Sequence, residues 1–419
     1  MDYFEYRNGE LFCEDVPVKA VARKAGTPFY LYSYGTFERH FRVFDGAFGD
    51  MPHIVCYSLK ANPNGALLRT IARLGGGADI VSGGELYRAV EAGIPPEKIV
   101  YSGVGKSREE LRYAIDAGIR MVNIESEGEL RLLAELSRKM KKRVPVSIRV
   151  NPEIDPKTHP YITTGLRKNK FGVLWVDALR LYREMAAEEY LAPVGISSHI
   201  GSQILELGPF IEAVMSLKSM ILELKGLGIA VEMLDIGGGL GITYKDELPP
   251  DPARYARAIM ENLGDTGVTL ILEPGRVIVG NSGIFVTKLL YVKGTAGKMF
   301  YIVDGAMNDL VRPSLYNAYH EILPVEDRKT KTEIVDLVGP ICESGDFFAK
   351  DRELASLKGG DLVAIKGAGA YGFAMSSNYN SRRRAAEVLV KGDEFFVVRR
   401  RETYKDLRRG EIIPHFLEV

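Results

Sequence analysis

Between residues 54 and 276 the chain alternates short β-rich runs with stretches of helical periodicity, and this alternation restricts the fold more than any other feature of the sequence. Repeated βα units build a parallel sheet, because each helix carries the chain back to start the next strand in the same direction. Eight β-rich runs are legible: Ile54 to Leu59, Ala78 to Ser82, Ile99 to Ser102, Met121 to Ile124, Val146 to Val150, Val194 to His199, Met233 to Ile236 and Leu270 to Glu273. The segments between them, such as Ser107 to Ala117, Glu127 to Lys141 and Pro209 to Leu227, repeat apolar residues at three- and four-residue intervals. Ser107 with Glu110 spells a capping box at one helix start, and Gly118 a stop at its end. Eight strands with seven intervening helical segments fit a (β/α)8 TIM barrel better than an open doubly wound sheet.

A barrel of about 250 residues leaves room for a further domain in a chain of 419. After Arg276 the pattern changes to period two, with strands expected over Ile284 to Val292, Phe300 to Val303, Thr332 to Val338, Leu362 to Ile365 and Glu394 to Arg399. Short strands are also expected at Phe4 to Tyr6, Glu10 to Cys13 and Pro28 to Tyr32, paired with that C-terminal region. The expected organisation is therefore an α/β TIM barrel over residues 34–283 and a second, mainly β domain formed by 1–33 with 284–419. Hydrophobic residues make up 46 % of the chain, enough for a sizeable core.

The 55 basic and 55 acidic residues cancel, which removes the electrostatic reason to expect nucleic acid or an anionic membrane as partner. The basic runs at Arg138 to Arg143, Arg382 to Arg384 and Arg399 to Arg401 read as solvated faces. Cys13, Cys56 and Cys342 show neither metal-ligand spacing nor a disulfide framework, so no metal site is expected and a reduced compartment is. The acidic start, Met1-Asp2-Tyr3-Phe4-Glu5, lacks signal-peptide character, and no apolar run is long enough to span a bilayer. A cytoplasmic protein with a small-molecule ligand is the expectation.

In TIM barrels the ligand-binding groups come from the carboxyl ends of the strands. The first run ends at Lys60, an amine that burial would keep partly neutral and able to form a Schiff base; the alternative is a strand-end lysine reaching water. The seventh run enters Gly237-Gly238-Gly239, and the eighth enters Glu273-Pro274-Gly275-Arg276. Side-chain-free turns there let backbone N–H groups approach a phosphate. The sixth run ends in Ser198-His199-Ile200-Gly201-Ser202, bringing an imidazole and a hydroxyl to the same rim. An amine, a phosphate cradle, a flat imidazole and a carboxylate are together what pyridoxal phosphate requires.

The motifs Tyr57-Ser58-Leu59-Lys60-Ala61-Asn62, Gly77-Ala78-Asp79-Ile80-Val81-Ser82-Gly83-Gly84-Glu85-Leu86, His199-Ile200-Gly201-Ser202-Gln203, the triple glycine and Glu273-Pro274-Gly275-Arg276 resemble the fold-type III pyridoxal-phosphate decarboxylases, whose barrel and β domain are alanine-racemase-like. Arg312-Pro313-Ser314-Leu315-Tyr316, Cys342-Glu343-Ser344-Gly345-Asp346 and Gly369-Ala370-Tyr371-Gly372 narrow the resemblance to the diaminopimelate decarboxylases. Ser58 and Ser198 depart from the alanine and cysteine common at those places, without removing a group the chemistry needs.

The resemblance implies decarboxylation of meso-2,6-diaminopimelate to L-lysine and carbon dioxide, the last step of lysine biosynthesis. It makes Lys60 the Schiff-base lysine and His199 the imidazole stacked on the ring. It places Ser202, Gly238, Gly239, Gly275 and Arg276 around the phosphate, and Glu273 at the pyridinium nitrogen. Asp79 is either near the imine or a strand-end cap or ion pair. Arg276, Arg312, Tyr316, Glu343 and Tyr371 are implied to bind substrate, Tyr371 bonding either phosphate or substrate. Cys342 is the implied acid for the substrate carbon, with a buried packing role as its alternative. A homodimer whose Cys342–Glu343 loop enters the opposite subunit's site also follows from the resemblance. The competing readings are a decarboxylase of ornithine, arginine or carboxynorspermidine, a non-catalytic cofactor binder, and a Schiff-base aldolase without cofactor.

Overall fold

A computed structural model describes residues 2–154, 170–295 and 297–417; Met1 of the acidic start lies outside them. The chain divides into two compact units, Glu38–Val279 and Met1–Phe37 with Gly280–Val419.

The first unit is a closed barrel of eight parallel strands. They are β1 (His53–Ser58), β2 (Gly77–Ile80), β3 (Ile99–Tyr101), β4 (Met121–Ile124), β5 (Val144–Arg149), β6 (Leu191–Ser197), β7 (Met233–Asp235) and β8 (Thr269–Leu272). The sheet closes where Leu270 of β8 pairs with His53 of β1. Cys56, Val100, Met121, Met233 and Ile271 fill the interior, with Ile54 and Val194 against them. Gly195 leaves space there, since a Cβ on it would fall 2.5 Å from Met121 Sδ. Three of the loops leading into helices end on serine caps: Ser82, Ser107 and Ser126 each accept a hydrogen bond from the backbone N–H three residues on. The capping box of Ser107 and Glu110 is formed, and Gly118 ends that helix at φ 68°.

The second unit is built on a nine-stranded sheet. Its spine is Gly283–Thr295, whose first half lies antiparallel to Phe29–Ser33 on one side and to Leu362–Ile365 on the other. Its second half pairs with Lys298–Val303, which continues to Thr332–Val338 and Phe347–Ala355. Beyond Phe29–Ser33 lie Ala386–Lys391, parallel to it, and the hairpin partner Glu394–Arg399. Phe347–Ala355 and Ala386–Lys391 escape a period-two reading: the first is interrupted by register shifts, and the second is buried on both faces over its first five residues.

The N-terminal strands divide in a way the sequence reading did not anticipate. Phe29–Ser33 joins the large sheet, but Phe4–Arg7, Glu10–Cys13 and Val16–Pro17 form a separate three-stranded sheet. Asn8 and Gly9, at φ 50° and 80°, close the first hairpin so tightly that local pairing wins. Its links to the C-terminal strands include the Leu11 N–H to Val325 carbonyl bond of 2.8 Å, the Asp327 N–H to Gly9 carbonyl bond of 2.7 Å and the Glu10–Glu326 bridge. Leu11, Cys13, Val16, Val18 and Val21 pack with Phe29, Leu31, Ile284, Val286 and Val388 into one core. The arginines near the C-terminus are structural as well as solvated. Arg399 Nε donates to buried Glu387 at 2.8 Å, and Arg401 donates to the Pro28 carbonyl at 2.7 Å.

Candidate active site

At the carboxyl ends of the barrel strands, β1 stops at Ser58 and Lys60 stands on the single 3₁₀ turn Leu59–Ala61 that follows. Lys60 Nζ donates to Asp79 Oδ2 at 2.7 Å, with the lysine side chain one-third exposed and the aspartate fully buried. Parallel pairing of Ser58 with Asp79 sets this contact. Ser58 Oγ lies 2.7 Å from Asp79 Oδ2 and 2.9 Å from the Glu273 carbonyl oxygen, so its one proton is shared between β2 and the end of β8. Asp79 is thus both a partner of the amine and a structural ion pair.

A cavity of about 180 Å³ opens beside Lys60, walled by Ser102, Asn123, Arg149, His199, Asp235 and Glu273. That volume far exceeds the roughly 10–15 Å³ that one water needs. His199 follows β6. Its Nδ1 accepts the Gly238 N–H at 3.2 Å, so the imidazole proton sits on Nε2. Burial, with Arg149 and Lys60 nearby, holds its pKa well below the ordinary value, leaving a neutral ring. Glu273 follows β8, buried, with Ser102 Oγ donating to Oε1 at 3.2 Å. Burial first, then Asp235 and Asp79, keep its pKa well above the carboxylate range, with Lys60 opposing.

The glycine turn after β7 is built for close approach. A Cβ on Gly238 would lie 2.2 Å from the Glu273 carbonyl oxygen, and one on Gly239, at φ 110°, 2.5 Å from the Gly201 carbonyl oxygen. The turn is pinned to the loop after β6 by paired bonds of Ile204 with Gly239 and Gly241. Gly275, in the next turn, is packed against Ser58 and Ala61, where a Cβ would meet both side chains at 3.0 Å. Buried Arg276 donates to Ser202 Oγ at 3.1 Å and to Tyr244 Oη at 2.6 Å. A guanidinium, a hydroxyl and glycine backbone therefore meet beside the cavity, a donor set that suits a phosphate. Pyridoxal phosphate fits these residues: an amine, a neutral imidazole and a buried carboxyl border the cavity, with a side-chain-free cradle adjoining.

The remaining five expected residues belong to the second unit. Arg312 opens the short helix Arg312–Tyr316, buried, with its guanidinium 2.9 Å from His320 Nε2. A guanidinium has only donors, so Nε2 accepts, and His320 Nδ1 carries the proton to the Lys366 carbonyl at 2.7 Å. Partly buried Tyr316 ends the same helix. Cys342 and Glu343 are exposed, which contradicts the buried alternative for Cys342. Their loop is held by Asp346, which accepts the Met307 and Ile341 N–H groups at 2.7 Å each, and by Ser314 Oγ donating to the Gly345 carbonyl at 2.6 Å. The Asn380 side chain accepts the Cys342 N–H at 3.1 Å. Tyr371 sits at φ 56°, a conformation uncommon for a bulky residue and most often retained where function requires it.

Five polar residues of the cavity wall escaped the sequence reading: Ser102, Asn123, Arg149, Ser197 and Asp235. Each lies in or directly after a barrel strand, so a polar residue within an apolar run was the available signal. Arg149 donates to buried Glu125 at 2.9 Å and lies over the Phe171 ring, 4.8 Å from its centroid.

Residues 34–280 match the family described as pyridoxal-dependent decarboxylase, pyridoxal binding domain. The diaminopimelate decarboxylase of Pseudomonas aeruginosa is 49% identical, over 98% of this chain and 99% of its own length. That of Aquifex aeolicus is 50% identical over 96% of each. Among solved structures, the diaminopimelate decarboxylase of Helicobacter pylori complexed with L-lysine superposes with a TM-score of 0.91 at 42% identity, covering 94% of this chain and 98% of that one. The enzyme of M. jannaschii in co-complex with L-lysine gives 0.94 at 39% identity, covering 100% and 99%. Full-length identity at this level, joined to a barrel rim that fits pyridoxal phosphate, makes the chain a member of the diaminopimelate decarboxylases, within the pyridoxal-dependent decarboxylases.

Proposed function

We propose that this chain decarboxylates meso-2,6-diaminopimelate at its D-configured centre, releasing carbon dioxide and L-lysine as the last step of lysine synthesis in the cytoplasm. The observation that supports this most is the meeting of Lys60, His199 and Glu273 around one cavity. Relatives complexed with L-lysine support the product. Among the described residues no helix is long and apolar enough to cross a membrane.

Pyridoxal phosphate, when bound, supplies the electron sink for the pair left as carbon dioxide departs. Lys60 holds the cofactor by its amine, which Asp79 orients. His199 offers a neutral flat face, and Glu273 keeps a proton available at the ring nitrogen. Ser202, Gly238, Gly239, Gly275 and Arg276 bind the phosphate. Arg276 and Arg312 hold substrate carboxylates, since a planar fork of donors matches them bidentately, and Tyr316 adds a hydroxyl donor to the substrate. Glu343 holds the distal ammonium, Tyr371 bonds phosphate or substrate, and Cys342 delivers a proton to the carbon that lost its carboxylate. The exposed Cys342–Glu343 loop serves the site of a second copy, in a homodimer with shared sites.

Carbon dioxide and lysine measured with separated diaminopimelate isomers, ornithine and arginine test the reaction; release from ornithine or arginine but not from the meso isomer would refute it. Arg312→Ala should harm only substrates bearing a distal carboxylate. Two inactive variants, Lys60→Ala and Cys342→Ala, mixed as dissociated subunits, should regain about a quarter of wild-type activity if sites are shared across a two-fold interface. Persistent inactivity of reassociated dimers would overturn the shared site.

A further inference from the structure

We propose that Asn123 is a positioning residue for Glu273: it fixes the direction of the protons in the polar layer beside that carboxyl, so that of two neighbouring buried carboxyls Glu273 holds the shared proton and Asp235 stays ionised. The inference rests on the reading of Glu273 as the ring-nitrogen partner and extends it to the residues that set its protonation.

Asn123 is a buried carboxamide on β4, among buried polar groups of neighbouring strands. Its Nδ2 donates one proton to Ser102 Oγ at 2.9 Å and the other to Asp235 Oδ2 at 2.8 Å. Its Oδ1 accepts from Ser147 Oγ, which also lies 3.1 Å from Ser197 Oγ. The reversed amide would set its oxygen against the Asp235 carboxylate, so the network admits one orientation. That orientation propagates. With the Asn123 N–H directed at its oxygen, Ser102 turns its own proton to Glu273 Oε1. Any proton Glu273 carries is thereby confined to Oε2.

Asp235 is treated differently. Its Oδ1 accepts the Gly237 N–H at 2.9 Å while Oδ2 accepts Asn123, so both oxygens are committed as acceptors. Burial raises its pKa only to about 6, opposed by these two donors and by a hydrogen bond from Glu273. Glu273 lies well above its ordinary range, through burial and the neighbouring anions. Two hydrogen-bonded carboxyls that line one cavity titrate as a pair. The donors on Asp235 decide which member keeps the proton at neutral pH. The other charged or titratable groups within reach are Asp79 on β2, Lys60 after β1, Cys56 on β1, whose thiol burial pushes well up, Arg149 and His199, which line the same cavity, and Lys106, whose Nζ donates to the Asn123 backbone carbonyl at 2.7 Å. The Asn123 side chain bonds instead to Ser102, Asp235 and Ser147.

Infrared difference titration of the cofactor-free protein tests this, because a protonated buried carboxyl gives a resolved C=O band. The wild-type spectrum at pH 7 should contain one such band that is lost in Glu273→Gln, beside those of other buried carboxyls raised to about 7, Asp309 and Glu85. Asn123→Leu should add one further band, from Asp235, its midpoint rising by about one pH unit or more, a tenfold change in its proton affinity. Asn123→Thr, which retains one donor, should return most of the shift. In the loaded enzyme, Asn123→Leu should move the pH midpoint of cofactor absorbance in the same direction. An Asn123→Leu protein that folds, gains no band over the wild type and keeps both midpoints would overturn the proposal. If that variant does not fold, Ser102→Ala decides: loss of its donor should raise the Glu273 midpoint, and an unchanged midpoint refutes the relay. The ring-nitrogen role is read separately, from cofactor absorbance in Glu273→Gln.

Discussion

Lys106 carries a stability prediction that the structure makes quantitative. Its side chain is 1% exposed, and Nζ lies 2.6 Å from Glu129 Oε1 and 2.7 Å from the carbonyl oxygens of Gly103 and Asn123. All three ammonium protons are thus used. The pair bridges the loop after β3, which lines the cavity, to the start of the helix Glu127–Met140. Burial lowers the lysine pKa and raises that of Glu129, so desolvation outweighs attraction on both partners. Lys106→Met keeps the length and removes the charge, leaving Glu129 and two carbonyls uncompensated.

Removal of one partner from a buried pair costs about 3–5 kcal/mol. Part of that cost is relieved when Glu129 takes a proton. Its folded pKa lies above the unfolded value, so the folded state binds more protons and stability falls as pH rises through the window between the two. The penalty of Lys106→Met should therefore be larger at pH 7.5 than at pH 5. Lys106→Met/Glu129→Gln removes both charges and keeps an acceptor for the Glu125 N–H, which now bonds Glu129 at 2.9 Å. It should recover at least half of the loss. Urea unfolding of the cofactor-free protein, read by its single tryptophan Trp175 in the barrel unit, isolates the relevant transition. A single variant that loses less than about 1 kcal/mol, or a double variant no more stable than the single, refutes the assignment of an uncompensated buried charge.

Two shorter predictions concern the loop after β6. Because the folded His199 pKa is depressed, the folded protein binds fewer protons than the unfolded chain below about pH 6.5, and stability should fall by up to about 1.4 kcal/mol per pH unit there from this group. His199→Gln should flatten that slope in cofactor-free protein, and equal slopes would remove His199 as its source. Ser198 Oγ is buried with no hydrogen-bond partner among the described residues, against an apolar wall that includes Phe210, Val214 and Ile236. Ser198→Ala should raise stability by roughly 1 kcal/mol, since an unpaired buried hydroxyl forfeits its hydration. A fall in stability or in cofactor affinity would instead reveal a partner supplied by the ligand.

The sequence by itself determined the succession of βα units, because strand and helix periodicities are local properties of a few consecutive residues. It also placed Lys60, His199, the glycine turn, Glu273 and Arg276 at strand ends, since the barrel topology converts order along the chain into position around a rim. What it left open was every decision made between distant strands. Asn123, Ser102 and Asp235 were invisible as a set because each is one polar residue in a short apolar run. Only the register of β3, β4 and β7 directs them inward to meet Glu273. The N-terminal strands show the same limit: a left-handed turn at Asn8–Gly9 settled local pairing, while Phe29–Ser33 found partners more than 250 residues away. Periodicity names the elements, but pairing and proton direction are settled by burial and hydrogen-bond satisfaction over the whole assembly. Those requirements have no meaning until the chain has closed.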